Sequence, residues 1–296
     1  MKGLSGFPYV NSFQVLVTAI TLSICGCEFE PAAVEKSSES PGASAASPSG
    51  ATISGQVTWQ GKIPEVPSLL GSIPALIENG PRQRQVHGNP NAPHVDSISR
   101  AVTSAVVFLR NVEPSLVKPW DLPSVRVLQR GLEFHIRQGS VDSHYGFVRQ
   151  GDKIEMVSCD RAFYAIHANG VEFFSLTFPD PDAPLNRRLT NKGIVELTSA
   201  AGHFWMRAYL FVDDAPYYCR TDSKGRFTLT NVPSGEYDLI CWMPSWLEDH
   251  HERDPETAII IRRFFRPAVE KLCRVKVMPG QLQSASFVWC TSDFLP

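Results

Sequence analysis

TDSKGRFTLTNVPSGEYDL, residues 221–239, is the stretch whose reading decides the fold. It lies within YYCRTDSKGRFTLTNVPSGEYDLICW, residues 217–242, which reads as three short strands joined by two tight turns. Asp222 begins the first turn, where a carboxylate can bond its own backbone, and Gly225 ends it, where a positive φ is free of steric cost. Val232 to Gly235 makes the second turn. Between them Phe227 and Leu229 point to one side and Arg226 and Thr228 to the other, the period of a half-buried strand.

Working outward, ISGQVTWQGKIP (53–64) sets Ile53, Gly55, Val57 and Trp59 against Ser54, Gln56 and Thr58, again with period two. SAVVFLRN (104–111) reads as a second strand after a Pro/Gly/Asn-rich passage that runs to about Ser99. At the far end, 258–289 supplies closing strands: Val275 and Val277 alternate, Pro279-Gly280 turns the chain, and Ala285, Phe287 and Trp289 alternate back. The 296 residues are 43% hydrophobic and 20% charged, with 23 Pro, 20 Gly and a net charge of -2. That composition suffices for one large core or two moderate ones and excludes a bias toward polyanions, so no nucleic-acid partner is expected. No window keeps a helical period. The expected class is all-β.

The N-terminus follows other rules. Lys2 precedes a short apolar run, VLVTAITLSICGC (15–27), too short to span a bilayer comfortably but suited to the core of a secretory signal. The run ends in Ile24-Cys25-Gly26-Cys27, which resembles a bacterial lipobox and implies Cys27 as the acylated first residue of an exported, membrane-anchored lipoprotein on the periplasmic or cell-surface side. Residues 28–50, rich in Ser, Ala, Pro and Glu, hold little that can pack and read as a tether. Of seven cysteines, export leaves Cys159, Cys219, Cys241, Cys273 and Cys290, an odd number whose pairing the spacing does not decide.

The ordered set of ISGQVTWQGKIP, AVVFL and TDSKGRFTLTNVPSGEYDL resembles the carboxypeptidase regulatory-like domain, a transthyretin-type β-sandwich. In that family the first two strands lie close to the TDxxGxFxLxxVPxGxYxL run; here much of 112–216 intervenes. VRVLQRGLEFHI (125–136), GFVRQGDKIEMVSCD (146–160) and NKGIVELTSAAGHFWMRAYLFVDDAPYY (191–218) are similar to the cupredoxin-like segment of bacterial exported proteins described as methylamine-utilization-like. The two resemblances together imply two Greek-key β-sandwiches, the cupredoxin-like one inserted into or docked on the other. The expected boundaries are 1–27 for the signal and lipobox, 28–51 for the tether, and 52–122 for the first strands and long loop of the regulatory-like domain. The cupredoxin-like domain takes 123–213, and 214–296 completes the regulatory-like one.

A type 1 copper site needs two imidazoles, a thiolate and usually a weak thioether, and the thiolate supplies most of the Cu(II) bonding. The resembled family provides them from a histidine after its second strand and from a Cys-x-x-His-x-x-Met loop. Laid on this chain, that loop puts His203 and Met206 at the last two ligands and Ala200 at the cysteine. The earlier histidine falls on Tyr164, with His167 three residues on as a substitute if the register shifts. The resemblance therefore implies a degenerate copper site in which His203 caps a turn and Trp205 and Met206 fill the metal's space.

Other clusters have plainer readings. EDHHERD (248–254) places His250 and His251 side by side, where their side chains diverge, and reads as a solvated charged loop. The family often has a histidine directly after its last-strand Trp; Met243 stands there instead. His87 and His94 belong to a loop expected to pack across the sandwich, with a ligand clamp as the alternative. Arg262, Arg263 and Arg266 beside Phe264 and Phe265 read as a solvated face, with a binding edge as the alternative. No GxSxG elbow or tuned acid pair is present, so no catalytic residue is assigned. Trp59, Trp205 and Trp242 fall on inward positions, whereas Trp120 and Trp246 lie in loops and are the candidates for stacking on a sugar. The expected function is a non-catalytic binding or assembly module at the cell envelope, with no cofactor and an unknown protein or glycan ligand. The rivals are a copper-binding or electron-transfer protein using His203, Met206 and His167, and a carbohydrate-binding module.

Overall fold

The computed structural model describes residues 50–73 and 83–295. The signal segment with Cys27, and all but the end of the tether, lie outside the described residues. The chain is all-β. Its first part forms β1 (Ala51–Trp59), β2 (Leu69–Ile73), β3 (Gln83–His87), β4 (His94–Val95), β5 (Val102–Thr103) and β6 (Val106–Arg110). The middle part forms β7 (Val125–Arg130), β8 (Glu133–Gln138), β9 (Val141–Ser143), β10 (Tyr145–Arg149), β11 (Lys153–Ser158), β12 (Tyr164–Gly170), β13 (Phe174–Phe178), β14 (Leu185–Arg188), β15 (Gly193–Ser199) and β16 (Arg207–Asp213). The last part forms β17 (Tyr218–Arg220), β18 (Arg226–Val232), β19 (Gly235–Met243), β20 (Glu248–Arg253), β21 (Ile260–Phe265), β22 (Val269–Val277) and β23 (Leu282–Trp289).

Strands from the two ends of the chain build one sandwich. A three-stranded sheet in the order β18-β1-β23 faces a four-stranded sheet in the order β17-β6-β19-β22. Between them lie Ile53, Val57 and Trp59 from β1, Phe227 and Leu229 from β18, Val107 and Leu109 from β6, Tyr237 and Leu239 from β19, and Phe287 and Trp289 from β23. The first turn shows why its residues are needed. The Gly225 N–H bonds the Asp222 carbonyl at 2.9 Å, and the Asp222 carboxylate accepts from the backbones of Lys224 and Arg226. Gly225 has φ +69°, and a Cβ there would sit 2.4 Å from the Val57 carbonyl oxygen. Only glycine fits both demands.

The middle strands make the second sandwich from two five-stranded sheets, β10-β16-β15-β12-β13 and β14-β11-β7-β8-β9. Its core includes Val127, Phe134, Ile136, Ile154, Met156, Tyr164, Ile166, Leu197 and Leu210. Neither sandwich keeps its inner sheet half-solvated. β6, β16 and β19 are buried on both faces: Val107, Leu109, Leu239 and Cys241 face the first core, while Ala208, Leu210 and Val212 face the second. Their alternate residues, Val106, Phe108, Tyr209, Phe211, Ile240 and Trp242, join Tyr145, Phe147 and Tyr218 in a third cluster between the sandwiches. The result is four stacked sheets, and continuous apolar runs such as YLFV (209–212) record burial on two sides.

The passage before Ser99, expected to be loop, carries the β2–β3 hairpin and the short β4–β5 pair. Its Asn residues anchor it across the junction: Asn91 donates to the Ser245 carbonyl and accepts from the Tyr209 hydroxyl, and Asn89 donates to the Trp246 carbonyl. EDHHERD, also expected to be loop, is β20, paired antiparallel with β21. Its charges are exposed as expected, but Arg263 on β21 returns an ion pair to Glu248, so the cluster closes a hairpin. No disulfide forms among the described residues. Cys159, Cys219, Cys241, Cys273 and Cys290 are free, and burial pushes the Cys219 and Cys241 thiols up to about 12.

Because the aromatic cluster is core to both sandwiches, they should unfold together. Calorimetry should give a single transition for the body, and Phe211→Ala should lower its stability by about 3–5 kcal/mol without splitting it. Two separate transitions, with the mutation acting on one alone, would show independent domains.

Candidate functional site

The loop from Ser199 to Met206 joins β15 to β16 at one end of the second sandwich. It is fixed by backbone bonds: the Ala200 N–H to the Ala165 carbonyl at 2.7 Å, and the Met206 N–H to the His203 carbonyl at 2.8 Å. Gly202 takes φ +83°, which lets the chain reverse before His203. His203, Phe204, Trp205 and Met206 are all buried, and His203 is only 4% exposed. The imidazole does not cap the turn, as the sequence suggested; the carbonyl does that work, while His203 Nδ1 has no hydrogen-bond partner.

The sequence-predicted ligands converge only in part. Ser199 is the buried residue at the end of β15 and lies opposite Ile166, whereas Ala200, placed at the thiolate by resemblance, is exposed. The Ser199 hydroxyl accepts the Ala201 N–H. So the inward position holds an alcohol oxygen and no sulfur. Tyr164 faces the core with its ring centroid 6.5 Å from that of His203. Its hydroxyl is engaged, donating to Asp160 and accepting from the Leu132 N–H, both at 3.0 Å. Burial is the first cause that raises its pKa, with Asp160 adding to it.

His167 is not brought to the site. On β12, Tyr164, Ile166 and Ala168 face the core, so His167, three residues after Tyr164, faces the other way. It bonds the Ser175 hydroxyl at 2.8 Å and meets the exposed Phe173 edge-on. Strand parity defeats the register shift that would have recruited it.

Two hairpins from outside the middle strands close over the loop; the passage with His87 was expected to pack across the sandwich, but not as a hairpin on this loop. From β3, the His87 ring stacks on Trp205 with centroids 3.8 Å apart and planes at 9°, and Gly71 on β2 packs so tightly on that indole that a Cβ would stand 2.3 Å away. The Trp205 indole donates to the Leu132 carbonyl at 3.1 Å. From β21, the Arg263 guanidinium lies 5.0 Å over Phe204, and Arg207 lies 4.7 Å over Phe265 while donating to the Arg263 carbonyl at 2.8 Å. Arg263 and Phe265 thus form a clamp, while Arg262 stays exposed and pairs with Glu252 as a solvated residue. The one signal for these contacts in the sequence was the repeated pairing of Arg with Phe, which does not specify a partner.

The proposed sugar-stacking residues fare differently from their prediction. Trp246 is buried at 6% exposure, between Trp59 and Phe294 at the end of the first core. Its place directly after the last residues of β19 keeps it on that core. Trp120 is half-buried, its indole donating to the Leu122 carbonyl and its ring packed on the interdomain cluster. Trp246 offers no face at the surface, and Trp120 remains partly accessible.

A type 1 copper ion does not fit these residues. The donors present are His203, His87 and Met206, with no thiolate beside them, and no three His, Cys, Asp or Glu side chains among the described residues are grouped to hold a metal. Burial lowers the pKa of His203, and His87 adds to that; burial likewise lowers His87, against a raising influence from Glu133. Both shifts favour the neutral ring.

No protein-family model matches the chain, and no curated protein matches it. Among solved structures, an oxidised amicyanin variant is similar over 36% of this chain and 97% of that one, at 13% identity and a TM-score of 0.25. The reduced Cu(I) form of another amicyanin variant is similar over the same shares, at 16% identity and a TM-score of 0.25.

A histidine kept neutral by burial binds fewer protons folded than unfolded, so stability is lost as pH falls below the unfolded value of about 6.5. Thermal unfolding followed from mildly alkaline to mildly acidic pH should show this decline, and His203→Gln should flatten it. An identical pH slope in wild type and variant would remove His203 from the account.

Proposed function

We propose that the chain is a non-catalytic binding or assembly module of the cell envelope, built on a cupredoxin-like sandwich without its copper thiolate and docked on a carboxypeptidase regulatory-like one. The observation that carries this reading is the inward end of β15: a serine occupies it, an exposed alanine follows, and the loop beyond is closed by Trp205 and by hairpins from the other sandwich. A redox copper centre needs the missing sulfur and a route for its partner; this arrangement favours neither. The burial of Trp246 removes one of the two tryptophans considered for stacking on a sugar, and the ligand is an unidentified protein or glycan.

The envelope location rests on the N-terminal pattern, in which Cys27 carries the lipid and residues 28–50 hold the body off the membrane. Palmitate labelling of the expressed chain should be lost in Cys27→Ala. A labelled variant would refute the anchor. For the body, adding Cu(II) to the purified protein should produce no intense visible charge-transfer band. A stoichiometric blue chromophore would return the chain to the electron carriers.

A further inference from the structure

Arg220, on β17, is half-buried where the two sandwiches meet, its guanidinium 4.3 Å over the Phe147 ring, and no anion answers it. Of its three nitrogens, Nη2 alone has acceptors among the described residues, the Gln138 Oε1 at 3.1 Å and the Tyr145 carbonyl. Nε is buried with no partner. Burial lowers the pKa to about 10, so the charge is present at neutral pH, and no carboxylate among the described residues acts on it. The two acids nearby are engaged elsewhere. Asp142 faces His135 at 3.3 Å and Arg130 at 3.5 Å, and Asp222 accepts the N–H groups of Lys224 and Arg226, both at 2.8 Å. A desolvated charge without a counter-charge is unfavourable, yet this one is held in place by Gln138, itself 5% exposed and donating to the Pro123 and Phe147 carbonyls.

The same guanidinium borders a cavity of about 530 Å³ whose apolar walls include Leu122, Pro123, Val141, Phe147 and Tyr218, a size and lining that suit a small ligand. We propose that this cavity binds a small organic carboxylate, its anionic head on Arg220 and its apolar body against Leu122, Val141 and Phe147. The sign of the ligand's charge follows from the unanswered guanidinium, which pairs with carboxylates through charge-assisted hydrogen bonds. Its single charge follows from Asp142 and Asp222, which also line the cavity and would repel a second one. The apolar body follows from the walls, which a bare inorganic anion would leave against water. The cavity shares no residue with the 199–206 loop, so the copper and palmitate results do not bear on it.

The test titrates the full chain with hydrocinnamate and with its uncharged isostere hydrocinnamamide, followed by calorimetry and by the Arg220 Nε–H NMR signal. The acid should bind at one equivalent, about tenfold or more tighter than the amide, and should shift the Arg220 signal. Val141 is 45% exposed, so Val141→Glu puts a negative charge at the cavity wall without emptying the core. It should weaken the acid by about fivefold or more and leave the amide within about twofold. Arg220→Gln should erase the preference for the acid; should that variant fail to fold, Val141→Glu decides the matter alone. Equal binding of acid and amide, no saturation at about 10 mM acid, or an acid affinity unchanged in Val141→Glu would overturn the site. Tighter binding of a glycyl-glycyl-phenylalanine tripeptide than of hydrocinnamate would put a chain terminus in the cavity and overturn the small-molecule assignment.

Discussion

The aromatic contact between the two sandwiches is the constraint on which the rest of the molecule depends. Phe108, Tyr145, Phe147, Tyr209, Phe211, Tyr218 and Trp242 form it, with ring pairs such as Phe108 and Tyr218 at 5.0 Å and Phe211 and Trp242 at 5.1 Å. Aromatic pairs add to the burial of their area. One charge is enclosed with them: Arg220 lies 4.3 Å over Phe147 and donates to Gln138 and to the Tyr145 carbonyl. Desolvation lowers its pKa to about 10, so the guanidinium stays charged at neutral pH and remains dependent on those acceptors. With this seam formed, the two inner sheets are fixed face to face, and the hairpins that leave the first sandwich can reach the end of the second.

That reach accounts for the closed loop. β2–β3 and β20–β21 belong to chain segments on either side of the middle strands, yet both finish on residues 204–207: the first on the Trp205 indole, the second on Phe204 and Arg207. A site at the end of a lone sandwich would face solvent; here His87 and Arg263 stand where water would be. Loops placed in this way are held by a rigid scaffold, which is the usual setting for binding residues.

Much of the fold was legible because period-two alternation is a local signal. Ile53, Val57 and Trp59, or Phe227 and Leu229, announce their buried face within a few residues. The TDSKG turn was equally plain, since Asp222 and Gly225 have local reasons to be there. The candidate site was less so. Its loop could be located from His203 and Met206, but the spacing did not show that Ala200 would be exposed and Ser199 would hold the buried end of β15, and strand parity sent His167 to the far face. His87 gave no local sign of its role, because its stacking on Trp205 depends on a hairpin 118 residues away in sequence. Trp246 lies in a loop as read, yet it is core, since the chain turns inward directly after β19.

β1 has a further consequence. Both of its neighbours arrive late: it pairs antiparallel with β18 and parallel with β23, from Thr52 opposite Leu282 to Trp59 opposite Trp289. Closing so long a span is entropically slow, so folding speed should be governed by this one long-range docking. Until it occurs, an apolar strand waits with two unpaired edges, the condition in which chains cross-associate. A holdase that shields residues 51–59 would therefore act at the step where the yield of native protein is decided.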